Sequence, residues 1–184
     1  MTKRFSTFLL CLGLGICINI HAQSQSFLIL GDIHYDLLEN HDMEWLQKKP
    51  DDLRQVTTEY TQFTKKNWPA FSKQLRNRVK TYKPEIKAIL QLGDISEGLA
   101  GSEQKAEQMA QSVVKAVDAV AMSIPWIITK GNHDITGPGA QEAFIKYYIP
   151  MFQKQLDRTD IASANYAHQI GENLFVCFDP WEKK

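Results

Sequence analysis

Three short polar segments close three apolar runs, and that recurrence limits the folds open to this chain more than any other feature. SFLIL (Ser26 to Leu30) leads into GDIHYD (Gly31 to Asp36). IKAILQL (Ile86 to Leu92) leads into GDISEG (Gly93 to Gly98), and PWIITK (Pro125 to Lys130) leads into GNHD (Gly131 to Asp134). Each run is short, apolar and bounded like a buried strand, and each hands over to Asp, His or Asn at its carboxyl end. In open α/β sheets that end is where sites form. Three such tips side by side bring carboxylates and imidazoles into one crevice, where like charges repel and burial is costly. A bound cation removes both objections, so a metal site is the first expectation.

Between the tips the apolar spacing becomes helical. Asp52 to Tyr82 carries Leu53, Val56, Tyr60, Phe63, Phe71, Leu75 and Val79. Pro69 is expected to break or kink that helix, because proline lacks an amide proton and collides with the preceding turn. Ser102 to Met122 predicts a helix capped by Ser102, with Met109, Val113, Val117 and Ala121 as its buried stripe. A further helix is expected over Gln141 to Leu156, and a hairpin around Gly171. Alternating strand and helix predict an α/β layered fold. Trp68 and Trp126 read as core residues. Tyr35, Asp36, His41, Asp42 and Trp45 read as a solvated loop, with the lining of a substrate pocket as the alternative.

With 184 residues the chain is one domain long. Its 21 Lys and Arg balance 21 Asp and Glu, so nothing favours generic nucleic-acid binding through a basic face. Lys3 and Arg4 precede an apolar stretch from Phe8 to Ile20, and Ile20-His21-Ala22 offers a cleavage site. This pattern predicts a signal peptide over residues 1–22, a mature domain over 23–184, and export to the periplasm or beyond. The stretch is short for a membrane span, so no stable span is expected after cleavage. Cleavage leaves Cys177 of the three cysteines, read as a small buried hydrophobe.

The polar tips suggest distinct chemistry. Asp32 and His34 alternate along a strand end, which would point both side chains the same way, and carboxylate with imidazole suits a divalent transition metal. Gly93 lets the backbone come close, and the two oxygens of Asp94 can bridge two ions. Asn132 offers a neutral amide oxygen. His133 can donate a proton to a phosphoryl or leaving oxygen, and Asp134 could orient that imidazole from behind.

Taken in order, D-x-H, G-D and G-N-H-D resemble the signature of the calcineurin-like metallophosphoesterase superfamily, over roughly Ser26 to Asp179. The resemblance implies a layered β-sandwich flanked by helices. It implies a hydrolase of phosphate mono- or diesters that uses two divalent transition metal ions, Mn, Fe or Zn. Asp32 and His34 would hold the first ion, Asp94 would bridge, and Asn132 would hold the second. His133 would stabilise the transition state or protonate the leaving oxygen, with Asp134 behind it.

Such proteins also carry later histidines, one alone and then a G-H-x-H pair. After His133 only His168 remains here, in a context that reads as strand rather than ligand. The expectation is therefore the first half of the sandwich, with a C-terminal half or a second chain completing the site; the alternative is a non-catalytic remnant or binding module. Glu97 stands where the resembling purple acid phosphatases have a tyrosine ligand, so an iron-tyrosinate centre is not expected.

Overall fold

The three apolar runs pair as parallel strands: β1 (Ser26–Leu30), β2 (Ile86–Gln91) and β3 (Trp126–Ile128), in the order β1-β2-β3. The computed structural model describes residues 24–120 and 122–181; the expected signal peptide and Ala121 lie outside them. Register aligns Leu30 with Gln91 and Gln91 with Ile128, so all three strands end level and their polar tips emerge together. This is an α/β fold, a three-stranded parallel sheet flanked by helices.

Side chains alternate across the sheet. Leu28 and Leu30 face Phe71 and Leu75 across a shallow cleft. On the other face Phe27 meets Phe175 edge-to-face at 4.9 Å. Phe175 belongs to an antiparallel hairpin of β4 (Tyr166–Ile170) and β5 (Asn173–Cys177). Tyr166 fastens this hairpin to the free edge of β3: its hydroxyl accepts from the Ile128 amide at 2.9 Å and donates to the Ile128 carbonyl at 2.8 Å. A second tie is the buried ion pair between Lys130 and Asp179. Cys177 is buried, as expected.

The stretch from Tyr35 to Trp45 is not the solvated loop that its polarity suggested. Asp42 caps a short helix, α1 (Met43–Leu46), by accepting from the amides of Glu44 and Trp45. Leu46, Val56 and Leu99 form a small core of their own. From Pro50 the chain stays helical for three segments: α2 (Pro50–Gln55), a π-helical turn over Val56–Tyr60, and α3 (Thr61–Thr81). Thr61 Oγ1 donates to the Val56 carbonyl at 2.8 Å, bracing the wide turn. Pro69 neither ends nor interrupts α3. Its ring lies on the exposed side of the helix, while Leu75 and Val79 fix the other side in the core.

The next helix, α4 (Glu103–Val120), starts where Ser102 predicts, with the Ser102 carbonyl accepting from Ala106 and its hydroxyl from Lys105. Met109, Val113 and Val117 lie on its buried side. After β3 come α5 (Ala140–Ala143), a π turn over Phe144–Tyr148 and α6 (Ile149–Leu156). Trp126 is core, as expected; Trp68 is only partly buried. Among the described residues no helix is long and apolar enough to cross a membrane.

Candidate metal centre

Strand β1 stops at Leu30, two residues before Asp32, so the expected strand alternation of Asp32 and His34 does not hold. His34 instead adopts φ 44°, and Asp94 in the second tip adopts φ 50°. Left-handed backbone costs a non-glycine residue about 1–2 kcal/mol, and such strain concentrates at functional sites. Two hydrogen bonds zip these strained turns together: the His34 amide to the Asp94 carbonyl at 3.0 Å, and the Tyr35 amide to the Ile95 carbonyl at 2.8 Å.

The third tip closes on the second just as tightly. A Cβ on Gly131 would stand 2.0 Å from Asp94 Oδ1 and 2.1 Å from its amide nitrogen, so only glycine fits there. Two residues further, the His133 amide donates to Asp94 Oδ1 at 2.8 Å. The rings of His34 and His133 stand 4.7 Å apart, edge to face, and Tyr60, at the end of the π turn, stacks on His34 at 4.9 Å. Single π turns are common at functional sites, and this one delivers an aromatic ring to the centre.

Glu97 is the residue that sequence reasoning placed here without a role. Its Oε2 lies 2.6 Å from His34 Nδ1. Its carbonyl oxygen lies 2.9 Å from His133 Nδ1, with Oε1 3.4 Å from the same nitrogen. A carbonyl can only accept, so His133 Nδ1 carries a proton, which leaves Nε2 free. Glu97 Oε1 is buried and has no hydrogen bond. Hydrogen bonding to Glu97 raises the His133 imidazole to about 9, against the opposing effect of burial. Burial pushes the Glu97 carboxyl up, but the hydrogen bonds from His133 and His34 outweigh it and hold the group below its ordinary value. The only signal in the sequence is a carboxylate three residues after Asp94.

Asp134 does not touch the His133 ring, contrary to the expectation that it orients that imidazole. Its Oδ1 accepts from the Ser96 amide and hydroxyl, each at 2.9 Å, and its Oδ2 from the Gly131 amide at 2.9 Å. It therefore locks the second tip to the third. Full burial pushes its carboxyl up to about 6, although these donors pull the other way. Asp32 and Asn132 are exposed, and among the described residues neither side chain joins this hydrogen-bond set.

A second buried pair braces the first tip from beneath. His41 Nε2 lies 2.7 Å from Asp36 Oδ1 and His41 Nδ1 lies 3.0 Å from the Leu99 carbonyl. Because Nδ1 must donate to that carbonyl, Nε2 and Asp36 share a single proton between them. The Asp36 amide donates to Thr64 Oγ1 at 2.9 Å, tying the tip to α3.

Among the described residues, His34, Glu97 and His133 offer donor atoms that all lie within 4.8 Å of one another, close enough to hold an ion. Glu97 has a second role: its carboxylate holds the His34 imidazole at Nδ1 and its carbonyl holds that of His133 at Nδ1, which leaves Nε2 of each ring unused by Glu97. His168 lies in β4, opposite Phe175, as a strand residue.

The family model of calcineurin-like phosphoesterases matches residues 26–180, a span that holds every residue named in this centre. No curated protein matches the chain.

Proposed function

The chain belongs to the calcineurin-like phosphoesterase family, and from that premise we propose that residues 23–184 form an exported, metal-dependent hydrolase domain for phosphate mono- or diesters. The observation that carries this reading is the convergence of three strand tips: His34 meets the Glu97 carboxylate, His133 meets the Glu97 carbonyl, and the His133 amide meets Asp94.

The residues fit a pair of divalent transition ions. Imidazole, carboxylate and amide oxygens suit Mn, Fe or Zn. Glu97 Oε1 is an orphaned buried acceptor, and two strained backbones hold donors in place. Asp32 and His34 would hold one ion, Asp94 would be shared, and Asn132 would hold the other. Such ions supply an activated water at neutral pH and neutralise phosphoryl oxygens. His133 serves as the acid: Glu97 keeps its imidazole protonated, and Nε2 faces outward to donate to the leaving oxygen. Asp134 supports that role indirectly, by fixing the turn that carries His133.

A second layer, from a C-terminal half or a second chain, would complete a β-sandwich over the apolar side chains that the sheet and the hairpin leave exposed. The exposure of Ile29, Leu174 and Val176 supports this. The alternative of a non-catalytic binding module draws on one observation: His34 and Glu97 already satisfy each other.

Measuring bound Mn, Fe and Zn beside hydrolysis of 4-nitrophenyl phosphate and bis(4-nitrophenyl) phosphate separates the readings. Turnover with bound metal is expected. Asp94→Asn should lose metal and lower the rate at least a hundredfold, about 3 kcal/mol of transition-state stabilisation. Unchanged metal content and rate in that variant would sink the bridging role. Metal-free protein without turnover would favour the binding module.

A further inference from the structure

We propose that the cleft between the tip of β1 and α3 seats the leaving alcohol of the ester, and that this alcohol is a planar, uncharged aromatic one. The inference rests on the phosphoesterase reading and names its substrate class. The cleft holds about 420 Å³, within the range of small-molecule sites, which are mostly apolar with a few polar groups. Asp32 is on its wall, so the cavity borders one of the two side chains proposed to hold the first ion. A phosphoryl group held there directs its ester oxygen and the attached group into the cleft.

The remaining walls set the class. Tyr35 and Trp68 meet edge-to-face at 5.2 Å, and Trp68 leans on Phe71 at 5.7 Å. These contacts hold three rings in a fixed slot before any ligand arrives. Phe63 closes the outer side and is 57% exposed. It is a large apolar group left in water, which an entering ring would cover. Asn67 supplies an amide at the rim for a polar substituent. Among the described residues no lysine or arginine lines the cleft, which disfavours a second phosphate or a sugar phosphate there. Aromatic partners gain from offset or edge-to-face packing beyond the area they bury.

The reaction balances as an ordinary hydrolysis. The oxygen of water bonds to phosphorus as the water gives up a proton, the phosphorus–oxygen bond to the aromatic alcohol breaks, and the leaving oxygen takes a proton from His133, which the proton released by water replaces. Inorganic phosphate or a phosphate monoester departs beside the free alcohol.

Phenyl and 2-naphthyl phosphate test the cleft, because their alcohols leave with similar ease and differ in ring size. The KM for 2-naphthyl phosphate should be about tenfold lower, the scale for a few extra buried carbons. Phe63→Ala should remove that advantage. Phe63 is exposed, so the variant is expected to fold. Fluorescence titration with 2-naphthol gives a readout without turnover: saturable binding is expected, weakened about tenfold by Phe63→Ala. Equal KM values with no saturable 2-naphthol binding would overturn the cleft assignment and leave the reaction standing. Binding that ignores Phe63→Ala would also overturn it. Phe63-dependent 2-naphthol binding by a chain that hydrolyses neither ester would support the cleft and overturn the reaction.

Discussion

Glu97 touches two imidazoles, and the pH response of the metal-free protein follows from that contact. The folded His133 binds its proton up to about pH 9, against an ordinary value of 6.5. Its stabilising contribution is therefore fully present below about pH 6.5 and is lost as pH rises through about 9. Glu97 is shifted downward, so its own contribution is present above its ordinary value and fades as pH falls through the folded one. In EDTA, Tm should fall between pH 6.5 and 9, and Glu97→Gln should flatten that slope. An equal slope in both proteins would remove Glu97 as the partner. His41→Ala tests the neighbouring pair. It leaves Asp36 buried without its partner, and breaking a buried pair costs about 3–5 kcal/mol, readable by urea unfolding. Asp32, His34, Asp94, Asn132 and His133 were legible as motif residues because each follows a strand. Glu97 was not, because its reach depends on the left-handed turn at Asp94, which spacing does not encode. Asp36 and His41 were misread as solvated because polarity alone says nothing of a partner five residues away.

At the scale of elements, the Tyr166 hydroxyl ties the hairpin to the edge of the sheet. Strand β3 is an edge, and its outward amide and carbonyl at Ile128 would be orphaned without Tyr166. Tyr166→Phe should cost about 1–3 kcal/mol, the penalty of an unsatisfied buried group. Amide exchange should speed up at Ile128 and little at Ile89 in β2. Uniform acceleration would mean that the hydroxyl supports global stability and does not tie the hairpin specifically. The three strands, α4 and the hairpin were legible because apolar period and terminal glycines agree there. The stretch from Pro50 to Thr81 was legible only as helical character. Pro69 argued for a break, but packing of Leu75 and Val79 outweighed it. The π turn over Val56–Tyr60 had no sequence signal, since threonines bracing a wide turn look like any polar helix face.

Over the whole molecule, apolar surface is left where a layered fold needs cover. Leu174 is 64% exposed, Val176 50% and Phe178 73%, successive outward positions along β5 and just past it. Ile29 is exposed on the sheet face against which the hairpin packs, and Leu92 is exposed just beyond β2. The hairpin has no third strand among the described residues, and exposed strand edges with apolar side chains invite pairing with other chains. Charge offers little protection, because the formal net charge is +0 at pH 7 and a protein near neutrality associates readily. Isolated chain should therefore self-associate with rising concentration in sedimentation velocity. Sulfate should strengthen that association, as it strengthens apolar burial, whereas screening would weaken an ionic contact. Replacing Leu174 and Val176 together with lysine should shift the distribution to monomer. It should leave metal content intact, because both side chains lie on the hairpin and away from the strand tips. A monomeric wild type whose sedimentation the double lysine variant does not alter would mean that this face is stable in water. The case for a covering layer would then rest on the metal ligands alone.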